Sequence, residues 1–317
     1  MTSHSSSNSP HSSTAAATQV STITWARLAL AVACGVLGLK LLAYEWTGAV
    51  VVLSDALEGL VNIVAGALAL YAITLASRPA DANHPYGHGK VEFLSAAFEG
   101  GLLLAASLVI AFESSRELAY GTVIHPSALG TALVVAAALI NGVLGWLLIR
   151  AGRRSGSPAL EADGHHLVAD LITSLFALIG LALVQLTGQP LLDPILALLA
   201  AIWIGFTGVR LLRRAIGGVM DEADPEDLAL LQAVLRDLDE PAVRGYRRLR
   251  LRHQGSVHQA EVELLLTPTT TLGEASAIVA RVTPRLEAVL SSAEVYCHCS
   301  DHRSADRTEA EDPWAAT

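Results

Sequence analysis

Six long apolar stretches alternate with short polar connections along most of the chain. Each contains roughly 20 or more mostly apolar residues, the length that an α-helix needs to cross the hydrocarbon core of a bilayer. After Arg214 the pattern changes to short amphipathic segments. It therefore predicts an α-helical membrane protein, with a bundle of six transmembrane helices followed by a small soluble domain. The predicted spans are 26–47, 49–76, 91–113, 128–150, 160–187 and 194–213.

The segment after Arg214 mixes helical and strand periodicity. Residues 225–238 have apolar positions at helical spacing, and Pro225 suits a first helical turn. Thr271 and Glu274 have the spacing of a capping box at the start of a second helix. The stretches YRRLRLRH, HQAEVELLL and AEVYCHC predict three strands, the first with arginines and leucines on opposite faces. The predicted order is αββαβ, a small α+β domain.

Composition divides the chain into four predicted parts. Residues 1–24 are rich in Ser and His without an apolar core, which predicts a disordered tail and excludes a secretory signal peptide. The transmembrane domain is predicted over 25–214 and a cytoplasmic domain over 215–302. Residues 303–317 predict an acidic disordered tail.

Charge and cysteine content narrow the classes of function and the cell compartment. A net charge of −9 argues against a nucleic-acid partner, because such proteins present a basic surface. Three cysteines provide no disulfide framework and fit a reducing cytoplasm. Lys and Arg concentrate in the second and fourth connections and after the sixth span, which predicts that both termini are cytoplasmic.

Polar residues inside two of the predicted spans form candidate ligand pairs. Glu58 and Asn62 are four residues apart in span 2, with Asp55 on the same helix face. His166 and Asp170 have the same spacing in span 5. Ionisable groups are costly in lipid, and two facing pairs of imidazole and carboxylate ligands suit Zn²⁺, Mn²⁺, Fe²⁺ or Co²⁺. The alternative is that these side chains hydrogen-bond neighbouring helices or cap helix ends.

The connection between spans 2 and 3 reads DANHPYGHGK. Asp81, His84 and His88 follow one another at spacings of three and four residues. This spacing suits a metal site, and the alternative is that the histidines only organise the loop around YGHG.

The motifs HPYGHGKVE after span 2, HLVADLITS in span 5 and VMDEADPE after span 6 resemble those of the cation diffusion facilitator family of divalent metal exporters. The resemblance covers residues 25 to about 302 and implies a ferredoxin-like cytoplasmic domain that forms a homodimer. It implies a transport site at Glu58, Asn62, His166 and Asp170. Members of the family usually have His or Asp on helix 2, with Asp four residues later. This chain departs from that pattern, with Glu58 at the first position and Asn62 at the second.

The resemblance also implies further functional positions. Asp81, His84 and His88 match a second metal site of some members, and Lys90 matches a lysine that pairs with an aspartate after helix 6, here Asp221. Asp55 is a candidate substitute ligand. Of the positions that bind metal in the cytoplasmic domain of many members, here Arg247, Glu261 and His298, only His298 is a histidine.

These inferences predict a multi-pass transporter of a bacterial inner membrane, not an enzyme, that exports divalent metal in exchange for protons. Zn²⁺ is the leading candidate for the exported metal, and Mn²⁺, Fe²⁺, Co²⁺ and Cd²⁺ are the other candidates. The metal is the transported substrate, and no cofactor is predicted. His166 is the predicted proton switch, because metal and proton compete for one lone pair of its imidazole. The alternative is a transport-inactive metal-sensing or scaffold protein of the same fold. An intramembrane metal hydrolase is disfavoured because HExxH is absent from the sequence.

Overall fold

The computed structural model describes residues 10–47, 50–120, 128–290 and 292–301. They belong to two compact units, Met1–Ile216 and Gly217–Thr317. The first unit contains six helices that are long and apolar enough to cross a membrane, which confirms the predicted bundle. The helices are α1 (Pro10–Thr47), α2 (Val50–Ala76), α3 (Val91–Tyr120), α4 (Ala128–Ser155), α5 (Pro158–Thr187) and α6 (Leu192–Val219), the last continuing into the second unit.

Helix α1 begins earlier than the sequence pattern predicts. The predicted disordered tail covered 1–24, but residues 10–24 are helical and continue into the first span. Three successive alanines, Ala15 to Ala17, lie in this extension, and alanine has the highest intrinsic helix propensity. Residues 1–9 and the predicted tail over 303–317 lie outside the described residues.

Apolar side chains occur on both the inner and outer surfaces of the bundle. One buried cluster joins α3, α5 and α6 around Leu103 and Ile204. Large apolar side chains also point outward: Leu108 is 71% exposed and Ile202 is 69% exposed. An outward apolar surface is what a bilayer requires, because lipid tails replace water as the solvent.

Glycines allow α4 and α5 to approach closely. A Cβ atom at Gly145 would be 2.9 Å from the carbonyl oxygen of Gly164, and one at Gly164 would be 2.7 Å from the backbone nitrogen of Ile149. Small residues at helix contacts let backbones pack together in membranes. This contact fixes the N-terminal half of α5, which carries His166.

The second unit has the predicted αββαβ order. Its elements are α7 (Pro225–Arg236), β1 (Val243–Gln254), β2 (Val257–Leu266), α8 (Leu272–Glu287) and β3 (Ala293–Asp301). Strand β2 is central, antiparallel to β1 and parallel to β3. The capping box of Thr271 and Glu274 is present at the start of α8. Helices and sheet enclose an apolar core that includes Leu231, Leu264 and Val282.

Strand β1 differs from the uninterrupted strand predicted for its arginine and leucine alternation. Its register with β2 shifts between Arg247 and Arg250, and Arg248 has a positive φ of 52°. A bulge adds a residue to one strand and re-aims the side chains beside it. Arg247 consequently lies opposite Glu263, and its guanidinium donates to both carboxylate oxygens, at 2.9 and 2.8 Å.

Candidate metal centres

Three predicted transport-site residues meet between α2 and α5. Asn62 Nδ2 donates to Asp170 Oδ2 at 2.8 Å, and His166 Nε2 lies 2.9 Å from Asn62 Oδ1. Asn141 Nδ2 on α4 also approaches Asp170 Oδ2, at 3.3 Å. Because the helical pitch brings residues i and i+4 onto one face, His166 and Asp170 both reach the Asn62 amide. The amide bridges imidazole and carboxylate.

The side chains of Asp55 and Glu58 lie outside the described residues. Their backbones belong to α2, and Glu58 is one helical turn before Asn62. The transport site thus stays a prediction for Glu58, and the role of Asp55 as a substitute ligand also stays a prediction.

Glu99 on α3 faces the other side of the His166 ring. Its Oε2 lies 3.6 Å from His166 Nδ1, and the side chain is fully buried. Neither carboxylate oxygen has a hydrogen-bond partner within the described part of the chain. A buried acidic group without hydrogen bonds is costly, so its position beside an intramembrane histidine indicates a functional role. The sequence alone does not connect Glu99 with this site, because nothing local to α3 points to His166.

The loop residues Asp81, His84 and His88 come together as a compact cluster. Asp81 Oδ1 lies 3.2 Å from His84 Nδ1, and Asp81 Oδ2 lies 3.4 Å from His88 Nε2. The ligand atoms of all three residues lie within 4.8 Å of one another. Ligands about 2.0–2.2 Å from Zn²⁺ at tetrahedral angles are roughly 3.3–3.6 Å apart, so the spacing suits a small divalent cation.

Backbone hydrogen bonds hold the loop carboxylate in place. The N–H groups of Asn83 and His84 donate to Asp81 Oδ1 at 2.9 and 2.7 Å. The backbone hydrogen bond from His84 is the main reason why the pKa of Asp81 lies below its usual value, with smaller contributions from Asn83 and the His84 ring. The carboxylate is therefore ionised and ready to bind a cation.

The remaining predicted positions lie apart from these clusters. Lys90 belongs to the first unit and Asp221 to the second, and their pairing stays a prediction. His298 is exposed on β3 and belongs to neither of the two His/Cys/Asp/Glu clusters found in the described part of the chain. Partial burial raises the pKa of the Cys297 thiol, which disfavours the thiolate form that binds metal, and Cys299 is exposed.

The second of those clusters was missed by sequence reasoning. It joins Asp227 of α7 with His253 and His258 at the facing ends of β1 and β2. The available signal was the sequence HQGSVH, because a short turn between two strands brings its flanking residues opposite each other.

Comparison with known proteins assigns both parts of the chain. Residues 26–218 match the model of the cation efflux transmembrane domain, and residues 223–302 match the cytoplasmic domain of cation efflux proteins. The uncharacterized transporter sll1263 of Synechocystis is 39% identical over 73% of this chain and 75% of its own length. Cation-efflux pump FieF of Shewanella oneidensis is 29% identical over 86% and 93%, and magnetosome protein MamB of Magnetospirillum gryphiswaldense is 28% identical over 80% and 82%.

The transmembrane model covers the six spans, and the cytoplasmic model covers the αββαβ unit that follows them. The chain therefore belongs to the cation diffusion facilitator family of multi-pass membrane transporters that export cations.

Proposed function

We propose that the protein exports a divalent transition metal, with Zn²⁺ as the leading candidate, in exchange for protons. The observation that carries this proposal is the convergence of Asn62, His166 and Asp170 inside the membrane bundle. Glu58 completes the proposed ligand set from α2. With Glu58 and Asp170 ionised and His166 neutral, two negative charges balance one divalent cation.

Glu99 acts in this proposal as a positioning residue for His166. If the cation binds Nε2, on the side of Asn62, the opposite nitrogen Nδ1 faces the Glu99 carboxylate. Metal-binding histidines commonly donate their second N–H to a carboxylate, which fixes the ring orientation and raises its basicity. Glu99 therefore supplies a hydrogen-bond partner for the second ring nitrogen from a third helix, and fixes the orientation of the His166 ring at the site.

Proton exchange follows from competition at one nitrogen. In the hydrogen-bonded arrangement, His166 Nε2 carries the proton that it donates to Asn62 Oδ1. A cation can bind that nitrogen only after the proton leaves, so metal and proton exclude each other. Exposure of the site first to one side of the membrane and then to the other would couple the two flows.

The proposal extends to assembly and orientation. The cytoplasmic domain is proposed to join two copies as a homodimer, with Lys90 paired to Asp221. The Lys- and Arg-rich connections support cytoplasmic termini in a bacterial inner membrane. Asp81, His84 and His88 are proposed to bind a second divalent cation in the loop.

Flux measurements test the transport proposal. Wild-type protein in vesicles that contain a metal-sensitive dye should take up Zn²⁺, Mn²⁺, Fe²⁺, Co²⁺ or Cd²⁺ faster with an opposing pH gradient. H166A should abolish this uptake. H165A is the matched control, because His165 is the adjacent residue but faces Glu161 at 3.6 Å instead of the site. Gradient-driven uptake that persisted in H166A would refute the proposal.

A transport-inactive sensor or scaffold is the second candidate, and Asn62 is the observation that favours it. The neutral amide hydrogen-bonds to both His166 and Asp170 at a position where the family usually has an aspartate, so the site has one carboxylate fewer for a cation. Metal binding by the purified protein with no flux of any tested metal would support this candidate.

A further inference from the structure

Asp227, His253 and His258 form a compact cluster in the second unit. His258 Nε2 lies 3.2 Å and His253 Nε2 lies 3.8 Å from the same carboxylate oxygen, Asp227 Oδ2. The histidine rings meet edge to face, with centroids 4.5 Å apart. Their side chains are only 20% and 12% exposed, and that of Asp227 is 25% exposed. The cluster thus keeps a limited opening to solvent.

The backbone holds the three residues in this arrangement. His253 and His258 are directly opposed in the antiparallel register of β1 and β2, so their side chains lie on the same face of the sheet. Gly255 adopts a positive φ of 62° in the turn between them, a conformation that glycine accepts without strain. Asp227 lies in the first turn of α7, and the same helix is anchored in the core by Leu231.

The distances suit cation binding. Ligand atoms at tetrahedral angles around Zn²⁺ lie roughly 3.3–3.6 Å apart, and the two nitrogen–oxygen distances, 3.2 and 3.8 Å, lie on either side of that range. All three ligand atoms lie within 4.8 Å of one another. Three protein ligands leave a fourth position for water.

We propose that Asp227, His253 and His258 bind a divalent cation of the Zn²⁺ class, through two imidazole nitrogens and one carboxylate oxygen. This site is additional to the transport site and the loop site. It differs from the family positions held here by Arg247, Glu261 and His298. An ion bound there joins α7 to the β1–β2 hairpin, and α7 is the first helix after the last membrane span along the chain. Metal bound there would therefore stabilise the packing of α7 on the hairpin.

The alternative for this cluster is a metal-free hydrogen-bonded group in which Asp227 accepts from the imidazoles. Chemical footprinting distinguishes the two. Diethyl pyrocarbonate modifies histidine at a free ring nitrogen, and a bound cation occupies that nitrogen. The full-length protein in detergent is treated with and without Zn²⁺, and modification is followed residue by residue with mass spectrometry.

With saturating Zn²⁺, modification of His253 and His258 should slow by about tenfold, because coordination occupies the reactive lone pair. His165, which contacts Glu161 and belongs to neither metal cluster of the described residues, should react equally fast in both conditions. Unchanged reactivity of His253 and His258 would overturn the proposal, and so would equal protection of His165, which would indicate non-specific binding.

A pair of neighbouring charge-neutralising substitutions locates the third ligand. Asp227→Asn should remove the Zn²⁺ protection of His253 and His258, while Glu226→Gln should leave it intact. Both acids lie in the first turn of α7, but Glu226 is exposed and lies outside the cluster. Protection that survived in Asp227→Asn would overturn the assignment of Asp227.

This test is independent of transport. Footprinting reads each histidine separately, so the result does not depend on flux or on occupancy of the membrane site. The same experiment in a D170A background should give the same protection of His253 and His258. If the protection were lost in D170A, the cytoplasmic cluster would not bind metal independently of the transport site, and the proposal would be overturned.

Discussion

Restoring a carboxylate at Asn62 tests how the membrane site is built. Asn62 Nδ2 donates to Asp170 Oδ2 at 2.8 Å, and Asn62→Asp replaces that donor by a second negatively charged oxygen. The shape of the side chain hardly changes. The variant therefore changes the electrostatics of the site with little change in its packing.

The magnitude follows from these contacts. Two unit charges 2.8 Å apart repel by about 6 kcal/mol at an effective dielectric constant of about 20. The lost hydrogen bond to a charged acceptor is worth about 1.5–3 kcal/mol. Side-chain rotation and proton uptake relieve part of this repulsion, so we expect the metal-free variant to be destabilised by about 2–3 kcal/mol, within the usual range for single substitutions.

A divalent cation reverses this effect, because it neutralises both carboxylates. We expect Asn62→Asp to bind Zn²⁺ at least about tenfold more tightly than the wild type, and at saturating metal this adds about 1.4 kcal/mol of metal-dependent stabilisation. The assay is thermal unfolding of the full-length protein in detergent over a series of Zn²⁺ concentrations. Asn62→Leu removes both hydrogen bonds without adding charge, and serves as the control that should lose the contribution of this site.

The other metal clusters are the same in all three proteins, so differences between them report on the membrane site. If Asn62→Asp were as stable as the wild type without metal and gained no additional stability with Zn²⁺, Asn62 would not face a cation site. If Asn62→Leu gained as much stability as the wild type, the four-ligand set would also be wrong.

Three further predictions concern positioning, packing and pH. Glu99→Gln should weaken Zn²⁺ affinity by about 10–100-fold, which is the usual effect of removing a carboxylate that supports a metal-binding histidine. Glu92→Gln on the same helix should leave the affinity unchanged, because Glu92 contacts Ser157. Equilibrium dialysis compares the Zn²⁺ affinities of the two variants. Gly164→Ala should cost about 1–3 kcal/mol in thermal unfolding, because its Cβ would meet α4 at 2.7 Å, whereas Gly101→Ala, with nothing within 4 Å, should cost far less. The hydrogen bond from Arg247 on the neighbouring strand lowers the pKa of Glu263 from 4.5 to about 2. The ionised pair therefore stabilises the fold by about 1 kcal/mol, as a partly exposed ion pair does. This stabilisation is present above pH 4.5 and is lost as the pH falls towards 2. Calorimetry should therefore show a smaller loss of stability on acidification in Glu263→Gln than in the wild type, and equal losses would contradict the pairing.

The elements of this protein follow from local features of the sequence. Apolar stretches of bilayer length determine the six helices, because hydrocarbon forces every backbone group into internal hydrogen bonds. The capping box of Thr271 and Glu274 and the alternating segments predicted α8 and the three strands, and the structure confirms them. The residues of the loop cluster were also readable, since Asp81, His84 and His88 lie within one short connection.

Contacts between distant parts of the chain were decided by tertiary packing. Glu99 on α3 lies beside His166 on α5, and Asn62 donates to Asp170, which is 108 positions later in the sequence. Helical periodicity gives the face of each residue along its own helix, but the rotation and depth of one helix against another depend on close contacts such as that of Gly164. The sequence could therefore name ligand pairs without identifying the carboxylate that supports them.

The cytoplasmic cluster shows the same division. The sequence determined a hairpin with a histidine on each side of its turn. Strand register then placed His253 directly opposite His258, and packing of α7 on the sheet brought Asp227 to both. A one-residue shift in register would turn one histidine to the opposite face, because side chains alternate along a strand. Register and helix docking are set by the whole core, and so this cluster was visible only in the folded domain.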